Sequence, residues 1–499
     1  RRAATKAFLV TRTADLAFVI GLIILATGAS TTSIPDLIDA WPSLSGATLT
    51  AALLCLLSGI AGKSAQFPFH DWLPDAMEGP TPASALIHAA TMVAAGTFVL
   101  ARLFPIFVLS DTARLVLAVI TAVTMIGAAI LAFGQSDLKR LLAYSTLSQI
   151  AIMLSALAIA PLETGAGPAV LYLLSHAMFK ALLFLSIGWL SVLVAGTAAA
   201  KMSGGVRHHP QLKAPLAIGL LSLAGVPPLV GFVAKEFVLG AAHDNTSESG
   251  SAAGWIVLIA VGLSVVLTAA YCTRAWLVLT HLSPEEVSHG AAIHGSGEIE
   301  DVSLLKMFAE PASSGGITPD SAPAAGSTLV DVLAEPDHGH ADIHGSARVS
   351  IYLLAFLSVV GGLIIFTPLV PVEPHITWWL AAGSLLLILA SGAAVRSMAA
   401  LQGSGDAAER LGAERMAMFD RGLGMDGVYV AVASRVVQLA RVVVTADREI
   451  IDAYVRGTVV ATRWVGTSST RAHTSKPSSY LVWLLAGLLA VGGLGVTLW

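Results

Sequence analysis

The sequence has 499 residues, 55% of them hydrophobic and 12% charged, and a net charge of −4. Soluble domains carry about 25% charged residues, so a water-exposed globular fold is excluded and a bilayer is the expected solvent. The near-neutral balance leaves no basic footprint for nucleic acid. Cys55 and Cys272, both in apolar runs, are too few for an iron–sulfur cluster or a disulfide framework.

The chain opens on Arg1 rather than methionine, and no signal peptide precedes its first apolar run, so a piece of something longer is expected. A helix needs about 20 apolar residues to cross the hydrocarbon core. By that measure about eleven spans are predicted, in an all-α integral membrane fold. They lie near Ala7–Ala29, Ala47–Leu73, Ala83–Phe107, Thr112–Phe133, Leu138–Ala160, Ala169–Val194, Ala214–Ala241, Gly254–Thr280, Ser350–Leu369, Ile376–Met398 and Tyr480–Leu498.

Ionisable residues inside spans are costly and mark functional sites. In the first span, Arg12 and Asp15 either form a buried pair or flank the helix. In the second, Lys63 sits well inside, with Gly59 and Gly62 before it and Pro68 after it. Such residues interrupt a helix and free carbonyls to bind a cation or water. A charged ammonium in a low-dielectric site is unfavourable, which suits a lysine that loads and releases a proton. The third span follows Glu78-Gly79-Pro80-Thr81-Pro82 and carries His88, either a hydrogen-bonded structural imidazole or a proton relay. In the sixth, His176 and Lys180 are four apart and share one helix face. In the seventh, Pro227 and Pro228 break the helix ahead of Lys235 and Glu236, which point about 100° apart.

Two spans are thus interrupted near a lysine, and five positions apart in the order they cross in opposite senses. That fits a transporter built from inverted repeats. The stretch His281–Ala347 is acidic and rich in Gly, Ser, Pro and His, and reads as a solvated loop. Its tract Asp337-His338-Gly339-His340-Ala341-Asp342-Ile343-His344 is a weak metal candidate, and no metal site is assigned. From about Asp426 to Trp464 a helix about 60 Å long is predicted that is not a span, because Arg441, Arg448, Asp452, Arg456 and Arg463 line one face. Such a helix lies along a membrane or a row of neighbours.

Lys and Arg cluster at Arg1, Arg2, Lys6 and Arg12, at Lys139 and Arg140, and at Lys201, Arg207 and Lys213. The alternate connections hold none, and only Arg102 and Arg114 break the pattern. The start is therefore expected on the cytoplasmic side and Trp499 outside. No dinucleotide fingerprint, Walker loop or nucleophile elbow is present, so hydride and phosphoryl chemistry are not expected.

The run from Gly62 to Pro82, with Ser84-Ala85-Leu86-Ile87-His88-Ala89-Ala90-Thr91-Met92-Val93, closely resembles the L subunit (chain 5) family of proton-translocating NADH:quinone oxidoreductase, respiratory complex I. Asp137-Leu138-Lys139-Arg140 through Ser148-Gln149, and the His176-to-Lys180 segment with Ala181-Leu182-Leu183-Phe184-Leu185, resemble the same family. The resemblance covers the chain to about Glu236 and rests on architecture beyond it.

The resemblance implies an antiporter-like pump subunit with no cofactor of its own; NADH, FMN, iron–sulfur clusters and quinone belong to partner subunits. It implies a proton path through Lys63, His88, His176, Lys180, Lys235 and Glu236, supported by Arg12, Asp15, Lys139 and Ser148. It also implies a lateral helix that contacts other membrane subunits before one last span, in a cell inner membrane. The expected division is 1–107 as the end of a first antiporter-like repeat, 108–281 as a second, 282–347 as the loop, 348–400 as two further spans, 401–479 as linker and lateral helix, and 480–499 as the terminal span. The family's glutamate partner of the Lys63 position lies on helices absent here, so the first half-channel is expected to lack its acidic partner. Glu236 stands where the family more often has Asp, which also suits the large subunit of a multisubunit sodium/proton antiporter, the alternative reading. A strut protein with a dead channel is the third.

Overall fold

A computed structural model of the chain describes residues 2–43, 46–89, 91–281, 345–366, 377–401, 406–473 and 476–497. The His-rich tract lies outside them, as does nearly all of the acidic loop. Among the described residues the structure is helical, without a strand. It falls into two compact units, Arg1–Leu423 and Gly424–Trp499.

The first unit is built from α1 (Arg2–Ala29), α2 (Ala47–Lys63), α3 (Thr81–Ala89), α4 (Ala95–Arg102), α5 (Asp111–Phe133), α6 (Leu138–Ile159), α7 (Gly167–Leu193), α8 (Lys213–Ala224), α9 (Val230–Ser249), α10 (Ala252–Thr280), α11 (Gly345–Val360) and α12 (Trp378–Ala400). Helix α6 is its axis. Every residue from Leu141 to Ile159 is buried, its polar side chains included, as a helix enclosed on all sides requires. Helices α5, α7, α9 and α10 surround it. Asp137 caps α6 by accepting from the Arg140 N–H at 2.9 Å, an arrangement that satisfies one of the free donors of a first turn. Helix α1 packs along α2 and exposes Leu16 and Ile23 on its other face.

Among the described residues, seven helices of this unit are long and apolar enough to cross a membrane: α1, α5, α6, α7, α10, α12 and the stretch Gly345–Leu363. These match the first, fourth, fifth, sixth, eighth, ninth and tenth predicted spans. The second, third and seventh are broken, and the third was expected to be continuous. It ends at Ala89 and resumes at Ala95. The Thr91 hydroxyl donates to the Leu86 carbonyl at 2.8 Å, and the Val93 carbonyl accepts from the Ser64 hydroxyl at 2.8 Å. Side chains thus take up backbone groups that the helix would otherwise use, and no proline or glycine at Ala89–Ala94 announces it.

The second span stops at Lys63, ten residues earlier than its predicted end at Leu73. Ala65 is left-handed (φ 49°), and the Phe67–Pro68 bond is cis. The carbonyl of Gly62, in the last turn of α2, accepts from the Trp72 indole at 3.0 Å. The seventh span breaks between α8 and α9 around a cis Pro227–Pro228 bond. Gly225 ends α8 at φ 88°, a conformation that glycine adopts without a Cβ penalty.

The second unit holds α13 (Met425–Thr445), one wider turn (Ala446–Ile451), α14 (Asp452–Ala472) and α15 (Pro477–Thr497). The first three run as one helix, longer than the predicted Asp426–Trp464. From Met425 to Ala472 the helical stretch is 48 residues, about 72 Å at 1.5 Å per residue, more than twice a hydrocarbon core of about 30 Å. Length and composition alone would admit it as a span; its length argues against a single crossing. Val436, Ile451, Tyr454 and Trp464 are exposed on it, and Arg456 donates to Asp452 at 3.4 Å.

Candidate functional site

Several polar and ionisable groups lie in the apolar interior of the first unit. One pair sits at the α1–α2 contact. Lys63 donates to the Asp15 carboxylate at 2.9 Å, and Arg12 approaches the same oxygen at 3.5 Å. One expectation is corrected here. Lys63 was expected well inside a span, but α2 ends on that residue and its side chain is 35% exposed. Asp15, expected either to pair with Arg12 or to flank the helix, pairs with Lys63 as well.

His88, on α3, is fully buried, and so is His176 on α7. The His88 ring stacks obliquely on Phe184, with centroids 5.0 Å apart. His176 Nδ1 lies 3.1 Å from the Ala89 carbonyl, next to the break in the third span. Both His88 nitrogens and His176 Nε2 are buried without a hydrogen-bond partner among the described residues, and buried polar atoms of this kind are commonly met by ordered water. One turn on from His176, the Lys180 ammonium donates to the Ser145 hydroxyl of α6 at 2.5 Å. Lys180 is completely buried.

Beyond Lys180, Gln149 of α6 accepts from the Tyr172 hydroxyl at 2.5 Å and lies 3.3 Å from the Tyr271 hydroxyl. All three side chains are inaccessible. Lys235 follows. Its ammonium donates to the carbonyls of Leu223 at 2.7 Å and Ala224 at 3.2 Å. These are end-of-helix carbonyls of α8, freed by the turn at Gly225, so the broken helix forms the cradle for the lysine that follows it. Glu236 points elsewhere and accepts from the Ser384 hydroxyl of α12 at 2.5 Å. The adjacent residues thus have different partners, as their 100° separation on a helix requires.

The supporting residues divide. Lys139 donates to the Met77 and Gly79 carbonyls at 2.9 and 2.5 Å, tying α6 to the segment before α3. Ser148 donates to the Met125 carbonyl of α5 at 2.9 Å. Neither side chain bonds another residue of the predicted path.

Sequence reasoning missed Ser145, Ser384, Tyr172, Tyr271 and Arg274. A serine or tyrosine in an apolar span carries no periodic signal until its partner is placed. Arg274 did carry one: it is an arginine inside a span, fully buried, with a two-pronged bond to Asp406 at 2.6 and 2.8 Å. Also unforeseen is the cluster at one end of the unit, where Lys6 binds Asp71 at 2.6 Å and Asp75 at 2.8 Å.

Residues 1–268 match the family described as NADH:quinone oxidoreductase/Mrp antiporter, transmembrane. The chain belongs to this family. Members similar to it include NADH-quinone oxidoreductase subunit L of Mycobacterium tuberculosis, 36% identical over 328 residues, covering 66% of this chain and 50% of the relative. Subunit L of Pseudomonas aeruginosa is 36% identical over 393 residues, covering 76% and 60%. NADH-ubiquinone oxidoreductase chain 5 of Arabidopsis thaliana is 41% identical over 297 residues, covering 57% and 42%. The chain therefore spans about half the length of the relatives it matches. Among solved structures, the Mrp complex from Dietzia sp. superposes with a TM-score of 0.56 at 22% identity, covering all of this chain and 46% of that one. An archaeal membrane-bound sulfane sulfur reductase superposes at 0.55 and 21% identity, covering 79% and 67%. These two likenesses concern the fold of this antiporter-like chain alone.

Proposed function

We propose that this chain is an antiporter-like membrane subunit of a proton-translocating NADH:quinone oxidoreductase. In this reading it moves protons along Lys63, His88, His176, Lys180 and Lys235 to Glu236 while redox chemistry proceeds in partner subunits. The observation that carries the reading is how the two fully buried lysines are held. Lys180 rests on a hydroxyl and Lys235 on two carbonyls. Neutral oxygens accept from an ammonium without the strong stabilisation of charge that a carboxylate gives, so either lysine can release and regain a proton. Glu236, beside Lys235 but bonded to Ser384, is the acidic acceptor at the end of the line.

In the same reading the helix Met425–Ala472 lies laterally along neighbouring membrane subunits, and α15 is the terminal span. The start is cytoplasmic, the end is outside, and the membrane is the cell's inner membrane. The test is proton translocation by the assembled enzyme in native membrane vesicles carrying Lys63→Ala or Lys235→Ala. Loss of pumping is expected. Wild-type pumping and quinone reduction in both variants would refute the path. Transport that depends on sodium instead of protons would favour the multisubunit sodium/proton antiporter.

A further inference from the structure

The segment from Asp406 to Arg421 follows α12 and leads into the long helix beginning at Met425. Within the first unit it is bound at one end to α10 and at the other to the turn that starts α6. At one end Asp406 takes Nε and one terminal nitrogen of Arg274, whose other nitrogen donates to the Phe133 carbonyl at 2.5 Å, just before that turn. At the other end the Asp420 carboxylate accepts from Ser136 twice, from its N–H at 3.0 Å and its hydroxyl at 2.7 Å. Arg140 donates to the Asp420 carbonyl at 2.9 Å, and Gln135 donates to that of Phe419 at 2.9 Å. Phe419 lies against Gly134 so closely that a Cβ there would stand 2.5 Å from its ring.

The opposite side of the turn is fixed as well. Leu138 N–H donates to the Thr197 carbonyl at 3.0 Å and Ala199 N–H to that of Ser136 at 2.8 Å. The turn before α6 is thus held by two segments, residues 419–420 and 197–199, and none of these contacts belongs to the proton line.

We propose that Asp420 is a positioning residue for proton transfer, acting through α6 on Ser145 and so on Lys180. Ser145 lies seven residues into α6, about 10 Å from its start along the axis, and one unbroken helix joins it to the turn. Its hydroxyl is the partner of the Lys180 ammonium at 2.5 Å. A slip of α6 by about 1 Å would carry that pair to the limit of hydrogen bonding.

The inference rests on the proton-path reading, and the experiment separates the two. Asp420→Ala, Ser145→Ala and the double variant are made in the assembled enzyme, and protons pumped per NADH oxidised are followed as a function of pH. Asp420→Ala is expected to lower the ratio at least twofold and to displace its pH profile in the same direction as Ser145→Ala. The double variant is expected to be no worse than Ser145→Ala alone, because the two act on one contact, and Asp420→Asn, which keeps an acceptor oxygen, restores part of the ratio. Additive losses, or an unchanged pH profile in Asp420→Ala, would overturn the proposal. If Asp420→Ala fails to assemble, Ser136→Ala removes one bond of the strap and is read in the same way. Normal pumping by Lys180→Ala would instead sink the proton path itself.

Discussion

The Lys63 ammonium lies 2.9 Å from the Asp15 carboxylate, across the contact between α1 and α2. The side chains are 35% and 20% exposed, so screening limits the pair to about 1 kcal/mol of stability or less. On the proposed proton path, its value lies in placing a negative charge against the first lysine. Asp15→Asn keeps the shape and removes the charge. We expect the variant to assemble normally and to pump several-fold more slowly, measured as the initial rate of vesicle acidification. A rate within error of wild type would mean that the pair is only packing.

Lys235 and Gly225 make a sharper prediction, because a Lys235 substitution leaves two buried acceptors behind. In Lys235→Met the Leu223 and Ala224 carbonyls lose their donor, at a cost of about 1–3 kcal/mol for each left unsatisfied. Gly225→Ala should cost about 1 kcal/mol or more, since its φ of 88° is unfavourable for alanine and the new Cβ would lie 3.0 Å from the Lys235 side chain. Thermal unfolding in detergent would show both losses, and pumping should be abolished in Lys235→Met but only slowed in Gly225→Ala. Equal pumping in the two variants would contradict an ammonium role for Lys235.

Much of this was legible from single residues. Lys63 with Pro68, and Lys235 with Pro227 and Pro228, announced two breaks, because proline and glycine act on the backbone wherever they fall. His176 and Lys180 announced a shared face by their spacing. The third break at Ala89–Ala94 was not legible, since it depends on Ser64 reaching the Val93 carbonyl from another helix. Asp15 was visible, but its assignment to Lys63 required the α1–α2 packing. Ser145 and Ser384 were invisible as site residues for the same reason: a hydroxyl becomes a partner only when a tertiary contact brings an ionisable group to it.

Ser384 gives the third prediction. It is the only hydroxyl among the described residues recorded as donating to Glu236, at 2.5 Å, and the pair joins α9 to α12. Ser384→Ala removes a charge-assisted bond worth about 1.5–3 kcal/mol. Pumping should fall several-fold, and Ser384→Thr, which keeps the hydroxyl, should recover most of it. If Ser384→Ala and Ser384→Thr pump alike, the hydroxyl is not what holds Glu236.

Arg274 and Asp406 test how the bundle holds the segment after α12. Arg274 is fully buried and Asp406 is 15% exposed, so the pair is removed from water on the arginine side and only partly on the other. Breaking such a pair by deleting one member leaves a buried charge uncompensated, at a cost of about 3–5 kcal/mol. Arg274→Met also leaves the Phe133 carbonyl without its donor. Asp406→Leu strands the guanidinium itself, so it should be the more damaging of the two single changes. The double variant Arg274→Met/Asp406→Leu removes both charges and should be more stable than Asp406→Leu alone. That ordering, read from the midpoint of thermal unfolding of the purified protein, distinguishes a charge pair from a site that simply needs bulk, for which the double variant would be the least stable of the three.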